Sequence, residues 1–216
     1  MGILVGFMFW QTVGNLQFTI YNLQLIFDLL FKIFFVTILA IVFLTDLKEM
    51  IIPDRIIIPA TITFFLALVL DTLYKIWFLY STLSQNSVGR FLLSPNTDYF
   101  QRHALLLAEP LLGGLATGLT VAAFFSALII LTRGRGMGWG DVKLGAFLGI
   151  CLGFPNGLLA VILSFILGAA VSLLVIVFGK KSLKSQIPFG PFLSLGGLIA
   201  LLWGEKIVNW YLHFQP

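Results

Sequence analysis

Long apolar segments alternate with short polar connections along the chain, and this pattern decides the fold class. The apolar residues do not alternate with polar ones at period 2, so the segments are typical of helices rather than strands. Seven segments stand out, at positions 3–13, 23–45, 56–80, 104–131, 142–154, 157–178 and 189–203. Most approach the length of about 20 residues that a membrane-spanning helix needs, while the first and fifth are short. We predict an all-α, polytopic transmembrane helix bundle with six to seven spans.

Composition also indicates that lipid surrounds most of the chain, and it excludes several kinds of binding site. The chain is 59% hydrophobic and 10% charged, whereas soluble domains carry about 25% charged residues. A net charge of +4 is too small and scattered to indicate nucleic-acid binding. With one cysteine, Cys151, and two distant histidines, we expect no disulfide, no metal site and no cofactor.

The distribution of Lys and Arg predicts the orientation of the bundle. The connections after the second, fourth and sixth segments hold eight of these residues, and the opposite connections with the C-terminal end hold four. Because cytosolic loops are enriched in Lys and Arg, the first set is expected in the cytosol and the polar stretch 81–103 outside. Residues 1–22 are expected to form a marginal span, or the end of a helix whose start is missing, and an outer loop. Residues 23–216 are treated as one domain.

Most of the nine acids have a simple structural interpretation. Asp28 with Lys32 and Asp71 with Lys75 have the i,i+4 spacing of helical ion pairs. Asp54 follows Pro53 and is predicted to be the N-cap of the third segment, with substrate contact as the alternative.

Asp46 and Asp141 differ because neither has a cation at helical spacing on its membrane side. Topology places both acids at the cytosolic ends of different helices, so only tertiary folding can bring them together. Two adjacent carboxyl groups do not both ionise easily, and one can keep a proton while the other takes a proton from water. Such a pair hydrolyses peptide bonds without a metal or a covalent intermediate.

Glycines crowd the approach to Asp141 in the stretch "RGRGMGWGDVKLG", residues 133–145. Gly138 and Gly140 leave room beside the acid for an extended peptide backbone. A flexible glycine-rich turn is the plain alternative. A phosphate-binding loop is disfavoured, because no strand precedes the stretch and Lys143 follows the acid without a Ser or Thr.

Three blocks of the sequence resemble type IV prepilin peptidases. "GMGWGD" followed by "VKLGAFLG" resembles the GxGD signature of that family, "TDLKEMIIPD" resembles its first motif, and "IPFGPFL" resembles the start of its last helix. The blocks occur in the family's order and cover about residues 23–204.

The resemblance implies an intramembrane aspartyl peptidase domain at 23–216. It would cleave the leader of type IV prepilins or pseudopilins at the cytosolic face of the cytoplasmic membrane, in the service of type IV pili or type II secretion. Asp46 and Asp141 match the family's catalytic aspartates, and Gly138 and Gly140 match its motif glycines. Asp54 and Lys143 lie in the matching blocks, where they are expected near the substrate's approach. Many members also carry paired CxxC motifs and methylate the new N-terminus, and the single cysteine argues against methylation here.

Helix dipoles predict where the shared proton resides. Asp141 lies at a predicted helix start, where a negative charge is favoured, and Asp46 lies at a predicted helix end, where it is disfavoured. Asp141 is therefore expected to be ionised and Asp46 protonated in the free enzyme.

An ion-coupled membrane transporter is the main alternative function. Acids within membranes also mark ion pathways, and the short fifth segment resembles the half-helices of transporter sites. A pure assembly scaffold and a presenilin-like protease, which shares GxGD, are further alternatives. The position of the two acids at the cytosolic boundary and the other two blocks favour the prepilin branch.

Overall fold

The computed structural model describes residues 23–85, 87–93, 98–134, 137–178 and 188–213. These residues form α-helices and contain no strand, which confirms the all-α prediction. The helices are α1 (Leu23–Glu49), α2 (Asp54–Ser84), α3 (Ser87–Leu92), α4 (Tyr99–Thr132), α5 (Trp139–Leu152), α6 (Asn156–Val177) and α7 (Gly190–His213). The predicted first segment at 3–13 lies outside the described residues.

Five of these helices, α1, α2, α4, α6 and α7, are long and apolar enough to cross a membrane. The chain is therefore a multi-pass membrane protein. The predicted fifth segment corresponds to α5, whose 14 residues extend only about 21 Å at the α-helical rise. α5 is thus too short to cross a bilayer alone and stops inside the bundle.

Two predicted segment ends differ from the structure. The last segment was predicted to end at residue 203, but α7 continues to His213, so Glu205 and Lys206 lie inside the helix. No proline interrupts that part of α7, and its exposed Trp210 and Tyr211 suit the polar boundary of a bilayer. The outer stretch 81–103 is also more helical than predicted, because it contains α3 and the ends of α2 and α4.

Glycines bring α4 and α5 into backbone contact. A Cβ atom placed on Gly149 of α5 would lie 2.6 Å from the Cα of Gly118 on α4. A Cβ atom on Gly114 would lie 2.7 Å from the carbonyl oxygen of Ile150. Small residues permit this close approach, which van der Waals packing then stabilises within the membrane.

The buried core holds α1, α5 and α7 together. The rings of Phe35 on α1 and Phe147 on α5 are stacked with their centroids 5.4 Å apart. A Cβ atom on Gly197 of α7 would lie 2.6 Å from Leu148 and 3.3 Å from Leu39. As a result, the end of α1 and the starts of α5 and α7 lie at the same end of the bundle.

The predicted ion pair between Asp71 and Lys75 is present, with 2.6 Å between the carboxylate and Nζ. The side chain of Asp28 lies outside the described residues, so its pairing with Lys32 stays a prediction.

Candidate active site

Asp46 lies in the last turn of α1 and is almost completely buried, with 5% of its surface exposed. The backbone N–H of Gly190, the first residue of α7, donates a hydrogen bond to its carboxyl group. A Cβ atom at Gly190 would overlap Asp46 Oδ2 and would lie 3.0 Å from Cγ. The contact therefore requires glycine, and it gives one of the unpaired N–H groups of the α7 start an acceptor.

Asp141 lies in the first turn of α5 and is 8% exposed. The N-cap residue Gly138 donates its backbone N–H to Asp141 Oδ2 at 3.2 Å. α5 is not one of the five spanning helices, and at its start burial raises the pKa of Asp141 from 3.8 to about 6. The hydrogen bond from Gly138 opposes this increase, and the negative charge of Asp46 adds to it.

One apolar side chain, that of Ile52, connects the surroundings of the two acids. It belongs to the connection between α1 and α2 and is 8% exposed. A Cβ atom on Gly140, the neighbour of Asp141, would lie 3.0 Å from Ile52 Cβ, and one on Gly190 would lie 3.3 Å from Ile52 Cδ1. The connection that precedes α2 and the first turns of α5 and α7 thus meet around Asp46 and Asp141.

The two motif glycines have different surroundings. Beside Gly138 there is open space, since a Cβ atom there would find no atom closer than 3.9 Å. The space that was predicted beside Gly140 is filled by the side chain of Ile52. Sequence reasoning missed Ile52, although an apolar pair, Ile51 and Ile52, between the charged residues Glu49 and Asp54 was a usable signal.

The predicted N-cap role of Asp54 is wrong. The N-cap of α2 is Pro53, without a side-chain hydrogen bond, and Asp54 is the first residue inside the helix. Both oxygens of Asp54 instead accept hydrogen bonds from Lys143 Nζ on α5, at 2.6 and 2.7 Å. The structure therefore brings these two predicted residues together, beside the acids rather than between them.

The structure also changes the helix-dipole argument about which of the two acids holds the shared proton. Asp46 does lie at the end of α1, but the start of α7 faces its carboxyl group through Gly190. Both acids therefore accept an N–H from a glycine at a helix start, where a negative charge is favoured. The contact with α7 reduces the dipole difference between Asp46 and Asp141, and the expected division of the proton between them stays a prediction.

The arrangement is suited to moving protons. Two buried carboxyl groups, each fixed by a backbone N–H, can exchange a proton with a water molecule placed between them. Among the described residues, no three His, Cys, Asp or Glu side chains come together as a metal-ligand set. The fold and this site define an integral membrane protein with a buried pair of aspartates at one end of a helix bundle.

Comparison with known proteins identifies the family. The model of the type IV leader peptidase family matches residues 33–173, and the chain belongs to this family. The match includes α1 from residue 33 onward, both acids and all of α5.

Named relatives agree with this assignment. The chain is 31% identical over 167 residues to a prepilin leader peptidase/N-methyltransferase of Aeromonas hydrophila, covering 77% of this chain and 47% of that protein. It is 28% identical over 178 residues to a protein of the same name from Bacillus subtilis, covering 82% and 57%. The matches therefore span about half the length of these relatives. No solved structure matches the chain significantly.

Proposed function

We propose that this chain is a membrane-embedded aspartyl endopeptidase that cleaves the leader of type IV prepilins or pseudopilins. The observation that carries the proposal is the burial of Asp46 and Asp141 at one end of the bundle, close enough together for the charge of Asp46 to raise the pKa of Asp141. Family membership and the names of the relatives support the substrate class. Both acids lie in the terminal turns of their helices, which favours a peptidase over a transporter with a site at mid-membrane.

The positions of the acids suit a substrate at the membrane surface. The Lys and Arg distribution favours a cytosolic position for this end of the bundle, so cleavage would occur at the cytosolic face of the cytoplasmic membrane. The N-methyltransferase activity in the relatives' names belongs to longer proteins, and the proposal is limited to peptide cleavage.

Cleavage would use the pair of acids with one proton between them. The ionised carboxylate takes a proton from water, and the resulting hydroxide adds to the scissile carbonyl carbon. The protonated carboxyl gives its proton to the carbonyl oxygen, and the tetrahedral intermediate then collapses. The C–N bond breaks as one acid gives its proton to the leaving amine and the other takes a hydroxyl proton from the intermediate, so that the new carboxyl group forms and the pair again holds one proton. With a pKa of about 6, Asp141 is mostly ionised at neutral pH and is able to act as the base.

The test is co-expression of the chain with a prepilin, followed by measurement of leader loss. Asp46→Asn and Asp141→Asn should each abolish cleavage, because an amide cannot take part in the proton transfer, while the protein remains folded in the membrane. Asp71→Asn is the matched control, since Asp71 pairs with Lys75 on an exposed part of α2 and should leave cleavage intact. Near-normal cleavage by either of the first two variants would contradict the proposal.

A further inference from the structure

We infer that Ile52 is a movable cover over the two acids and that the ion pair between Asp54 and Lys143 is the latch that keeps it closed. The inference rests on the proposed peptidase function. It assigns three residues to the admission of substrate rather than to the bond-breaking step.

The cover follows from the space that Ile52 fills. Its side chain contacts Gly140, beside Asp141, and Gly190, which is hydrogen-bonded to Asp46. Its neighbour Ile51 is 61% exposed, so Ile52 is turned inward while the adjacent residue is not. A peptide backbone that lies along Gly140 and Gly190 to reach both acids would need the volume that Ile52 occupies. Ile52 and the substrate therefore exclude each other.

The cover is carried by a short segment, residues 50–53, between α1 and α2. Met50 adopts a left-handed backbone conformation with φ 53°, and Pro53 precedes the first turn of α2. Two contacts join this region to α5: Ile52 on Gly140, and two residues further along, Asp54 on Lys143. Lys143 itself is two residues from Asp141, so cover and latch lie side by side.

The latch has the strength of a reversible contact. The side chains of Lys143 and Asp54 are 39% and 55% exposed. An ion pair this accessible to solvent shifts an equilibrium by about fivefold at most. It is too weak to fix the segment permanently, but it is strong enough to bias the segment towards the closed position.

The consequence for kinetics is a change in KM and not in kcat. When only a fraction of molecules is open, the apparent dissociation constant of the substrate is the intrinsic constant divided by that fraction. Truncating the cover with Ile52→Ala should therefore lower KM severalfold with little change in kcat. Ile52→Val, which perturbs the fold less, should lower KM by a smaller factor. A fixed substrate wall at this position would instead raise KM, and a purely structural role would reduce the amount of folded protein with KM unchanged.

A reversible cross-link tests the movement directly. Asp54→Cys and Lys143→Cys are combined in a Cys151→Ala background and joined in membranes by a short bis-methanethiosulfonate reagent. We expect the joined protein to cleave prepilin at least tenfold more slowly, and reduction of the same sample to restore the rate. Each single-cysteine variant, treated identically, should show no such reversible loss.

The outcomes separate this inference from the proposed function. If the unmodified chain cleaves prepilin, equal rates in the joined and reduced states would overturn the cover, and so would a higher or unchanged KM in both Ile52 variants. If the unmodified chain does not cleave prepilin at all, the proposed function fails and the cover fails with it.

Discussion

Replacing Gly190 with alanine tests whether the start of α7 sets the position of the Asp46 carboxyl group. The new methyl group would overlap Asp46 Oδ2 and would lie 3.0 Å from Cγ and 3.3 Å from Ile52 Cδ1. Asp46 is buried and cannot move away without rotating its carboxyl group. That rotation breaks the hydrogen bond from the Gly190 N–H.

The size of the effect follows from the contact that is lost. A hydrogen bond to a neutral carboxyl group contributes about 1 kcal/mol, which corresponds to a factor of about 5. A displacement of about 1 Å in a catalytic group can cost about 100-fold on its own. We therefore expect Gly190→Ala to lower kcat by about 5- to 100-fold.

The assay is leader release from a purified prepilin by the enzyme in lipid, with kcat and KM measured separately. Gly113→Ala on α4 is the matched control, because a Cβ atom there meets nothing within 4 Å. Alanine is also favoured over glycine inside a helix by up to about 1 kcal/mol, so this variant should keep its activity and equal or exceed the original stability. A Gly190→Ala protein with kcat within about twofold of the unmodified chain would refute the predicted role of α7, since the lost hydrogen bond alone predicts more.

Two further predictions concern stability. Burial raises the pKa of Asp141 from 3.8 to about 6, so the folded state favours the protonated acid, and its contribution to stability falls as the pH rises from about 4 to about 6. The stability of Asp141→Asn relative to the unmodified chain should therefore be higher above pH 6 than below pH 4, by about 3 kcal/mol in the free energy of unfolding. If thermal unfolding gave the same stability difference between the two proteins at both pH values, this prediction would be contradicted. Gly149→Ala would place a methyl group 2.6 Å from Gly118 Cα, so it should lower stability by about 1–3 kcal/mol, measured by thermal unfolding against Gly113→Ala.

The helices were predictable because a bilayer leaves the backbone few choices. Each predicted segment from 23–45 onward corresponds to one helix, and most boundaries agree within a few residues. The end of α7 was missed because apolar content falls after residue 203, whereas helical hydrogen bonding does not depend on apolar side chains. Packing also supports the helix at Gly204, where a Cβ atom would lie 2.6 Å from Asn156 Oδ1.

The acids were predictable by elimination, and their surroundings were not. Asp46 and Asp141 stood out because neither had a local partner. The contacts of Gly190 with Asp46 and of Ile52 with Gly140 join parts of the chain that are far apart in sequence, so no local spacing reveals them. The role of Asp54 was also not predictable from local spacing. Because α2 begins one residue earlier than predicted, Asp54 lies inside the helix and pairs with Lys143 instead of capping the helix.

A peptidase within a membrane has to meet two requirements that oppose each other. The acids need burial, because removal from water raises the pKa of Asp141 towards the range in which a carboxyl group exchanges protons at neutral pH. Substrate and water nevertheless have to reach those acids. The apolar side chain of Ile52 covers the acids and so keeps them buried. The solvent-exposed ion pair of Asp54 and Lys143 holds this cover reversibly, so substrate and water can reach the acids when the pair breaks. Since that pair can be broken without exposing a charge inside the protein, opening the cover need not disturb the pair of acids beneath it.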